Sequence, residues 1–324
     1  MLHTPFCDLF DVEVPVLQAP IWPAASPELV AEVAEAGAIG SLAAILTPAD
    51  ALRRQIERVR ELTDRPFVVN HVVPGLDEEA FRVTIEARPA AVSFALGDAG
   101  PLVERVHDAG SKAIQQVHTV AQARRAAELG VDVIIAQGSE AGGQGMILGV
   151  GALALAPQVA DAVAPIPVLV AGGVADGRGL AAALVLGAAG VNVGTRFLAS
   201  EEAGIDPGWK RRIVEVESED AVRFEPWTQI MRPAPESFDV VPRVIRTGFI
   251  DEWRRRATEV PEQADHLQAQ IIGALREGRV HELTPFAGQT VGLVHDVRPA
   301  REIVRAMATE AGHALARTSP SRAG

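Results

Sequence analysis

The sequence predicts an α/β protein, a (βα)8 barrel of the TIM type with a small helical lobe inserted near its end. Three observations lead to this prediction. Eight short apolar runs recur about 25 residues apart, a spacing that fits a strand plus a crossover helix and is too long for hairpins. A helical pattern follows each run, and a glycine often separates that helix from the next run. A doubly wound open sheet is the second architecture that this pattern allows.

The first two-thirds of the chain supplies the strands and the signals that bound the helices. The strands are predicted to begin near Val14, Ala38, Phe67, Ala91, Lys112, Asp132, Pro167 and Gly190. Helices are expected to start after the N-cap residues Ser26, Thr47 and Thr119. Glycine at a helix end favours the left-handed conformation that stops the helix. The expected stop positions are Gly37, Gly110, Gly130 and Gly187.

The repeat of strand and helix stops after Phe197. We predict that residues 200–289 form a helical lobe over the barrel mouth, because acids and prolines there flank helix-like stretches at 248–258 and 261–277. The barrel would then comprise residues 1–199 and 290–324. An amphipathic segment at 299–316 provides the helix expected after the eighth strand.

Composition excludes several classes of protein. The chain has 324 residues, with 30 Lys and Arg against 42 Asp and Glu and a net charge of −12, so we expect no nucleic-acid partner. A single cysteine, Cys7, excludes an internal disulfide and a thiolate zinc cluster. The N-terminus has no signal-peptide pattern, and no uncharged apolar stretch is long enough for a membrane span. These features predict a cytoplasmic protein without a membrane partner, either a monomer or a homodimer.

Glycines follow the last two predicted strands, where (βα)8 barrels often bind phosphate. Glycine lets main-chain N–H groups approach an anion, and a threonine hydroxyl adds a neutral donor. The seventh strand ends in Gly172 and Gly173, and the eighth ends in Asn192, Val193, Gly194 and Thr195. The pattern indicates a phosphate site, although glycine after a strand is also ordinary turn chemistry.

A glycine-rich loop and three neutral amides mark the ends of three other strands. The loop at 137–145 can lie flat against a planar ligand, but mobile surface loops have the same composition. Asn70, Gln116 and Gln137 end the third, fifth and sixth strands, and amides suit the edge of a heteroaromatic ring. No cluster of His, Asp and Glu has metal-ligand spacing, so we expect no metal.

Three motifs resemble the nitronate monooxygenase (2-nitropropane dioxygenase) family: AQGSEAGGQG, AGGVADGRG and VNVGTRF, after strands six, seven and eight. The resemblance covers nearly the whole chain. It implies an FMN-binding barrel, shared with flavin-type enoyl-acyl-carrier-protein reductases and NADH:quinone reductases. By position, it implies flavin contacts at Asn70, Gln116, Gln137, Gly142 and Gly143, contacts to phosphate and the ribityl end at Gly172, Gly173, Asn192, Val193, Gly194 and Thr195, and neighbours of the ring at Ala19, Pro20, Ile21 and Trp22.

The chain departs from the family at one position that bears on mechanism. Members usually read EAGGH, and the histidine is the expected proton-handling group, whereas this chain has Gln144. A carboxamide takes up no proton near neutral pH, so Gln144 can orient a substrate but cannot act as a general base. A nitronate is already an anion, and we expect it to react while neutral nitroalkanes react poorly.

Two histidines could replace the missing base. His118 follows the fifth strand and His71 follows Asn70, and alternation along a strand places only His118 on the same side as its neighbouring amide. Both histidines could equally be hydrogen-bonded structural residues. Trp22 and Trp227 could form an apolar wall over the flavin, although tryptophan is also common in cores.

Two charged residues near the motifs have competing roles. Glu140 could act as an acid, but in this loop it is expected to accept a main-chain N–H and hold the turn. Arg196 could pair with an acid or with phosphate.

The sequence thus predicts an FMN-dependent oxidoreductase that transfers electrons from a small organic substrate such as an alkyl nitronate to O2. The nearest alternative is an FMN reductase that uses NAD(P)H to reduce quinones or enoyl thioesters. A non-flavin phosphate-binding isomerase or lyase, and a flavin-binding protein without turnover, are further alternatives.

Overall fold

A computed structural model describes residues 2–233 and 236–318 of the chain. Eight parallel strands form one sheet in the order β1-β9-β8-β6-β5-β4-β3-β2. Main-chain hydrogen bonds from Gln18 N to Ile39 O (2.8 Å) and from Ile39 N to Val16 O (3.0 Å) join its two edges. The sheet is therefore a closed barrel, which confirms the predicted fold and rejects the open sheet. The barrel strands are β1 (Val16–Gln18), β2 (Gly40–Ala43), β3 (Phe67–Val72), β4 (Ala91–Ala95), β5 (Lys112–Val117), β6 (Val133–Gln137), β8 (Val168–Ala171) and β9 (Gly190–Val193).

Helices surround the barrel and follow its strands. The helices up to β9 are α1 (Pro5–Phe10), α2 (Pro27–Glu35), α3 (Ala49–Leu62), α4 (Glu78–Ala87), α5 (Leu102–Asp108), α6 (Val120–Glu128), α7 (Ala152–Val163) and α8 (Gly177–Val185). The side chains of Ser26 and Thr119 cap α2 and α6 as predicted. The predicted cap at Thr47 is wrong, because its hydroxyl donates to the Ala43 carbonyl and Pro48 is the N-cap of α3. All four predicted stop glycines have positive φ, between 81° and 88°.

The barrel interior is filled by apolar side chains and sealed at one end by α1. Phe6, Cys7 and Phe10 pack in one cluster with inward-facing strand residues such as Val68 and Ile114. Cys7 is buried, as expected of a small hydrophobic residue. Filling this end leaves the opposite end, where the strands finish, as the place for a cavity.

The chain between β9 and the last helix contains more than the helices predicted from sequence. Its helices are α9 (Thr195–Leu198), α10 (Pro207–Glu215), α11 (Trp227–Met231), α12 (Gly248–Arg255), α13 (Val260–Arg276) and α14 (Val280–Leu283), with 3-10 turns at Ser218–Asp220, Ala257–Glu259 and Gln289–Leu293. Two strands, β10 (Ala221–Arg223) and β11 (Val240–Ile245), lie among them. An antiparallel sheet, β10-β11-β7, recruits β7 (Gly143–Met146) from the loop after β6.

The last helix, α15 (Ala300–Thr318), packs against α8 and α2 and completes the ring of helices. This is the role predicted for residues 299–316. The division into a barrel and a lobe of residues 200–289, hereafter the lobe, stays a prediction, and residues 1, 234, 235 and 319–324 of these ranges lie outside the described residues. Within the described part of the chain, no helix has the length and apolar character needed to cross a membrane.

Candidate active site

The carboxyl ends of the barrel strands and the lobe enclose a cavity of about 270 Å³. Most of the site residues predicted from sequence line it together, although they come from widely separated parts of the chain. They are Ala19, Pro20, Ile21, Trp22, Asn70, Gln116, Gln137, Gly142, Gly143, Gln144, Gly172, Asn192, Gly194, Thr195 and Trp227. Gly173 and Val193 are adjacent in sequence to lining residues but do not themselves line the cavity.

Neutral amides form the polar floor of the cavity. The side-chain nitrogen of Asn70 donates to the Ser93 hydroxyl at 2.9 Å, and that of Gln137 donates to the main-chain oxygen of Gln144 at 2.8 Å. The side-chain oxygen of Asn192 is buried and has no hydrogen-bond partner among the described residues. A buried acceptor without a donor costs about 1–3 kcal/mol. This oxygen is therefore free to accept a hydrogen bond from a ligand in the cavity.

Two predicted glycines permit close approaches of main chain beside the cavity. A Cβ on Gly142 would lie 2.6 Å from the main-chain nitrogen of Gly288, and one on Gly172 would lie 3.0 Å from Ala141. Gly172 also has a φ of +88°, which side-chain-bearing residues rarely adopt. The Gly288 nitrogen in turn donates to the Thr195 hydroxyl at 2.9 Å. The loop after β6 is thus closely packed against both the strand ends and the lobe.

The two charged residues with competing predicted roles both have structural partners. The carboxylate of Glu140 accepts the Ala152 N–H at 2.9 and 3.1 Å and so caps α7, as expected. Arg196 is buried, and its guanidinium lies 3.1 Å from the carboxylate of Asp296. Neither residue lines the cavity.

Two lobe arginines hold the loop that carries Gln144. The Arg223 guanidinium donates to the carbonyls of Met146 and Ile147, at 2.5 and 2.6 Å. The Arg243 guanidinium donates to the Ser139 carbonyl at 2.9 Å. Both guanidinium groups therefore donate hydrogen bonds to main-chain oxygens outside the cavity.

The structure does not bring the two candidate bases into the cavity. His71 lies on the other face of β3, where its Nε2 is 2.9 Å from the Thr84 hydroxyl and its ring meets the Phe81 ring edge-on. His118 lies beyond the end of β5, so strand alternation no longer governs its direction, and its ring packs edge-on against Phe238. This corrects the expectation that alternation places His118 beside Gln116 at the substrate.

Burial sets the protonation state of both histidines. It lowers the pKa of His71 to about 4, partly offset by the charge of Asp77. It also lowers the pKa of His118 to about 4, partly offset by the Gln137 main chain, while the nearby Arg223 lowers it further. Both imidazoles are therefore neutral near pH 7.

The comparison with protein families decides the assignment. The nitronate monooxygenase family model matches residues 3–83 and 77–310. This chain belongs to the nitronate monooxygenase family. The nitronate monooxygenase of Neurospora crassa is 33% identical over 91% of this chain and 88% of its own length. Family membership makes the chain a flavin-dependent oxidoreductase.

Other proteins similar to this member of the nitronate monooxygenase family have different names. A 5-hydroxy-7a-methyl-1-oxo-octahydro-1H-indene-4-carboxyl-CoA dehydrogenase of Mycobacterium tuberculosis is 39% identical, over 66% of this chain and 61% of that enzyme. The structure of FabK from Thermotoga maritima superposes with a TM-score of 0.89 at 32% identity, covering 98% of each chain. The fold of this chain is therefore shared with a protein of a different name.

The cavity of this nitronate monooxygenase family member has no ionisable side chain in the part of its wall that the structure describes. Gln144, on β7, lines the cavity. No group of three or more His, Cys, Asp or Glu in the described residues could hold a metal ion. The protein groups around the cavity can donate and accept hydrogen bonds, but none can take up a proton near neutral pH.

Sequence reasoning missed most of the lobe residues that line this nitronate monooxygenase family cavity. They are Trp209, Met231, Ile271, Leu275, Val280, Thr284, Phe286, Ala287 and Gly288. The spacing of Ile271 and Leu275 does place them on one face of a predicted helix. The sequence does not show that this face meets the barrel mouth instead of the lobe core.

The buried histidines predict a pH-dependent stability. Each unfolded imidazole has a pKa near 6.5 and each folded one about 4, so the unfolded state binds more protons between these values. The free energy of unfolding is expected to fall by about 1–2 kcal/mol per histidine between pH 7 and pH 5. Urea unfolding at several pH values should show this slope, and the double variant His71→Gln, His118→Gln should flatten it. An unchanged slope in that variant would assign the effect to other groups.

Proposed function

We propose that the protein binds FMN and oxidises alkyl nitronates with O2. The observation that carries the proposal is a cavity that offers neutral amides and glycine loops to a flavin while presenting no ionisable side chain in its described wall. Oxidation of a neutral nitroalkane begins with removal of a proton from carbon, which needs a base. A nitronate has already lost that proton, so a site without a base is sufficient for it.

The cavity residues suit FMN in both its parts. The glycines after β8 and β9 and the Thr195 hydroxyl would hold the phosphate, while Asn70, Gln116 and Gln137 would contact the polar edge of the ring. The unpartnered oxygen of Asn192 would accept a hydrogen bond from the cofactor. Bound FMN would supply the redox chemistry, accepting electrons from the substrate and returning them to O2. No G-x-G-x-x-G motif follows an early strand, which favours a mononucleotide over a dinucleotide.

Gln144 acts on the substrate by hydrogen bonding. Its main-chain oxygen accepts from Gln137 at 2.8 Å, which restrains β7 and so the position of the Gln144 side chain. The carboxamide N–H groups can donate to the oxygens of a nitronate, which carry its negative charge. Trp22 and Trp227 line the same cavity and exclude water from the reacting carbon.

Reduction by NAD(P)H is the second candidate function. The resemblance to flavin-type enoyl-acyl-carrier-protein reductases and NADH:quinone reductases favours it. Hydride transfer from a nicotinamide also needs no side-chain base at the donor carbon. The two functions therefore differ in the electron donor and share the site.

An anaerobic titration of the purified, FMN-loaded protein separates these functions. Ethyl nitronate is added to one cuvette, and NADH or NADPH to another, while the flavin absorbance near 450 nm is recorded. We expect bleaching by the nitronate and recovery of the band on admission of O2. Bleaching by a nicotinamide alone would instead establish a reductase, and protein that never takes up FMN would refute both functions.

A further inference from the structure

The lobe gives the cavity an apolar wall opposite the polar barrel floor. We call the part of the cavity that this wall bounds the apolar chamber. Its lining residues are Trp209, Trp227, Met231, Ile271, Leu275, Val280 and Phe286. These residues come from α10, α11, α13, α14 and the segment after α14. The chamber comprises seven residues. Only two tryptophans, Trp22 and Trp227, are predicted from sequence to face the flavin.

The apolar chamber is preformed. The Trp227 and Phe286 rings meet edge-on with centroids 5.6 Å apart. Trp227 and Ile271 also belong to a buried cluster that includes Phe224 and Trp253. Because its wall is held by core packing, the chamber presents a fixed apolar surface to a ligand.

A charged group in the apolar chamber would have no counter-ion. The described cavity wall contains no ionisable side chain, and the nearby Arg223 and Arg243 donate to main-chain carbonyls of the loop after β6. Placing a carboxylate there removes its water and supplies no opposite charge, only the unpartnered Trp209 indole N–H, which is unfavourable. An uncharged alkyl chain gains from the same environment, since its burial scales with apolar area.

We propose that the apolar chamber binds the uncharged alkyl chain of the substrate, so that the protein selects long-chain substrates and rejects those with a carboxylate on the chain. The inference rests on the proposed function only for the identity of the reacting group. Binding of the chain itself can be measured with compounds that undergo no oxidation.

Binding of saturated 1-alkanols from butanol to octanol to the FMN-loaded protein tests the chamber directly. Tryptophan fluorescence reports binding, because Trp209 and Trp227 lie in the wall, and flavin absorbance provides a second signal. We expect the dissociation constant to fall about fourfold per methylene. Alkanoates of equal length are expected to bind at least about tenfold more weakly. No dependence on chain length, or equal affinity for alkanoates, would overturn the inference.

Matched variants locate the effect in the chamber. Trp227 and Trp253 are both 7% exposed and share one cluster, but only Trp227 lines the cavity. Trp227→Leu should reduce the gain per methylene, while Trp253→Leu should leave it unchanged. Met231→Lys, at a partly exposed position, adds a cation and should shift the preference toward alkanoates. Equal effects of the two tryptophan variants, together with no shift in Met231→Lys, would contradict the inference.

Oxidation of nitronates of increasing chain length distinguishes the two proposals. Increasing kcat/KM from ethyl to hexyl nitronate, with poor oxidation of 3-nitropropionate nitronate, supports both. If no nitronate is oxidised while alkanol affinity still increases with length, the proposed function fails and the chamber inference stands. If nitronates are oxidised without regard to length and alkanols do not bind, the function stands and the chamber inference fails.

Discussion

Gln144→His is expected to confer oxidation of neutral nitroalkanes. Gln144 lines a cavity whose described wall has no group able to take up a proton, and a positioned base typically contributes about 10²–10⁴ in rate. We expect kcat/KM for nitroethane to rise about 100-fold, while that for ethyl nitronate changes only a few fold. The activity gained should increase with pH as the imidazole deprotonates near pH 6.5.

The measurement uses freshly dissolved nitroethane, before it ionises, and oxygen consumption as the rate. Gln144→Asn is the matched control, since it keeps a carboxamide and supplies no base. It should leave nitroethane oxidation unchanged. Wild-type protein that oxidises nitroethane as efficiently as its nitronate would show that a base exists elsewhere, and the interpretation of Gln144 would then be abandoned.

Gly142→Ala is expected to weaken binding of the flavin. The added Cβ would lie 2.6 Å from the Gly288 nitrogen and 2.8 Å from the Ala287 carbonyl carbon. Because both neighbours are main chain, the loop after β6 or the segment at 287–288 must move. Overpacking of this kind costs about 1–3 kcal/mol. If about 2 kcal/mol of it falls on cofactor binding, the FMN affinity drops about thirtyfold.

Gly145→Ala provides the control in the same loop after β6. Its Cβ would meet only the Gln137 side-chain nitrogen, at 3.6 Å, which is ordinary contact. The two purified variants are compared for flavin absorbance relative to protein absorbance and for the FMN dissociation constant by fluorescence quenching. Similar flavin content in the two variants would show that the Gly142 approach does not control cofactor binding.

The barrel could be predicted from sequence because each of its strands has a recognisable local sequence pattern. An apolar run and a helix repeat in each unit, a stop glycine ends the helix in four of them, and the polar residues at strand ends are brought together by the closure of the barrel. The floor of the site, with Asn70, Gln137 and Asn192, follows from strand positions alone.

The lobe sheet and the position of His118 could not be predicted, for two physical reasons. β7 consists of Gly143, Gln144, Gly145 and Met146, which have low strand propensity, and its partner β11 begins at Val240, almost a hundred residues later. His118 lies one residue past the end of β5, where the chain turns into α6 and alternation ceases. Both depend on tertiary contacts that local patterns do not encode.

The pairing of β7 with β11 ties the loop after β6 to the lobe. β7 belongs to a barrel loop, yet its main chain is bonded along the lobe sheet, with Gln144 opposite Pro242. A hinge motion of the lobe would therefore move Gln144 and its flanking glycines as well. This movement would weaken the contacts of the loop after β6 with the cofactor. In such a motion, a ligand that favours the closed lobe would strengthen cofactor binding, and the cofactor would strengthen binding of that ligand by the same coupling free energy.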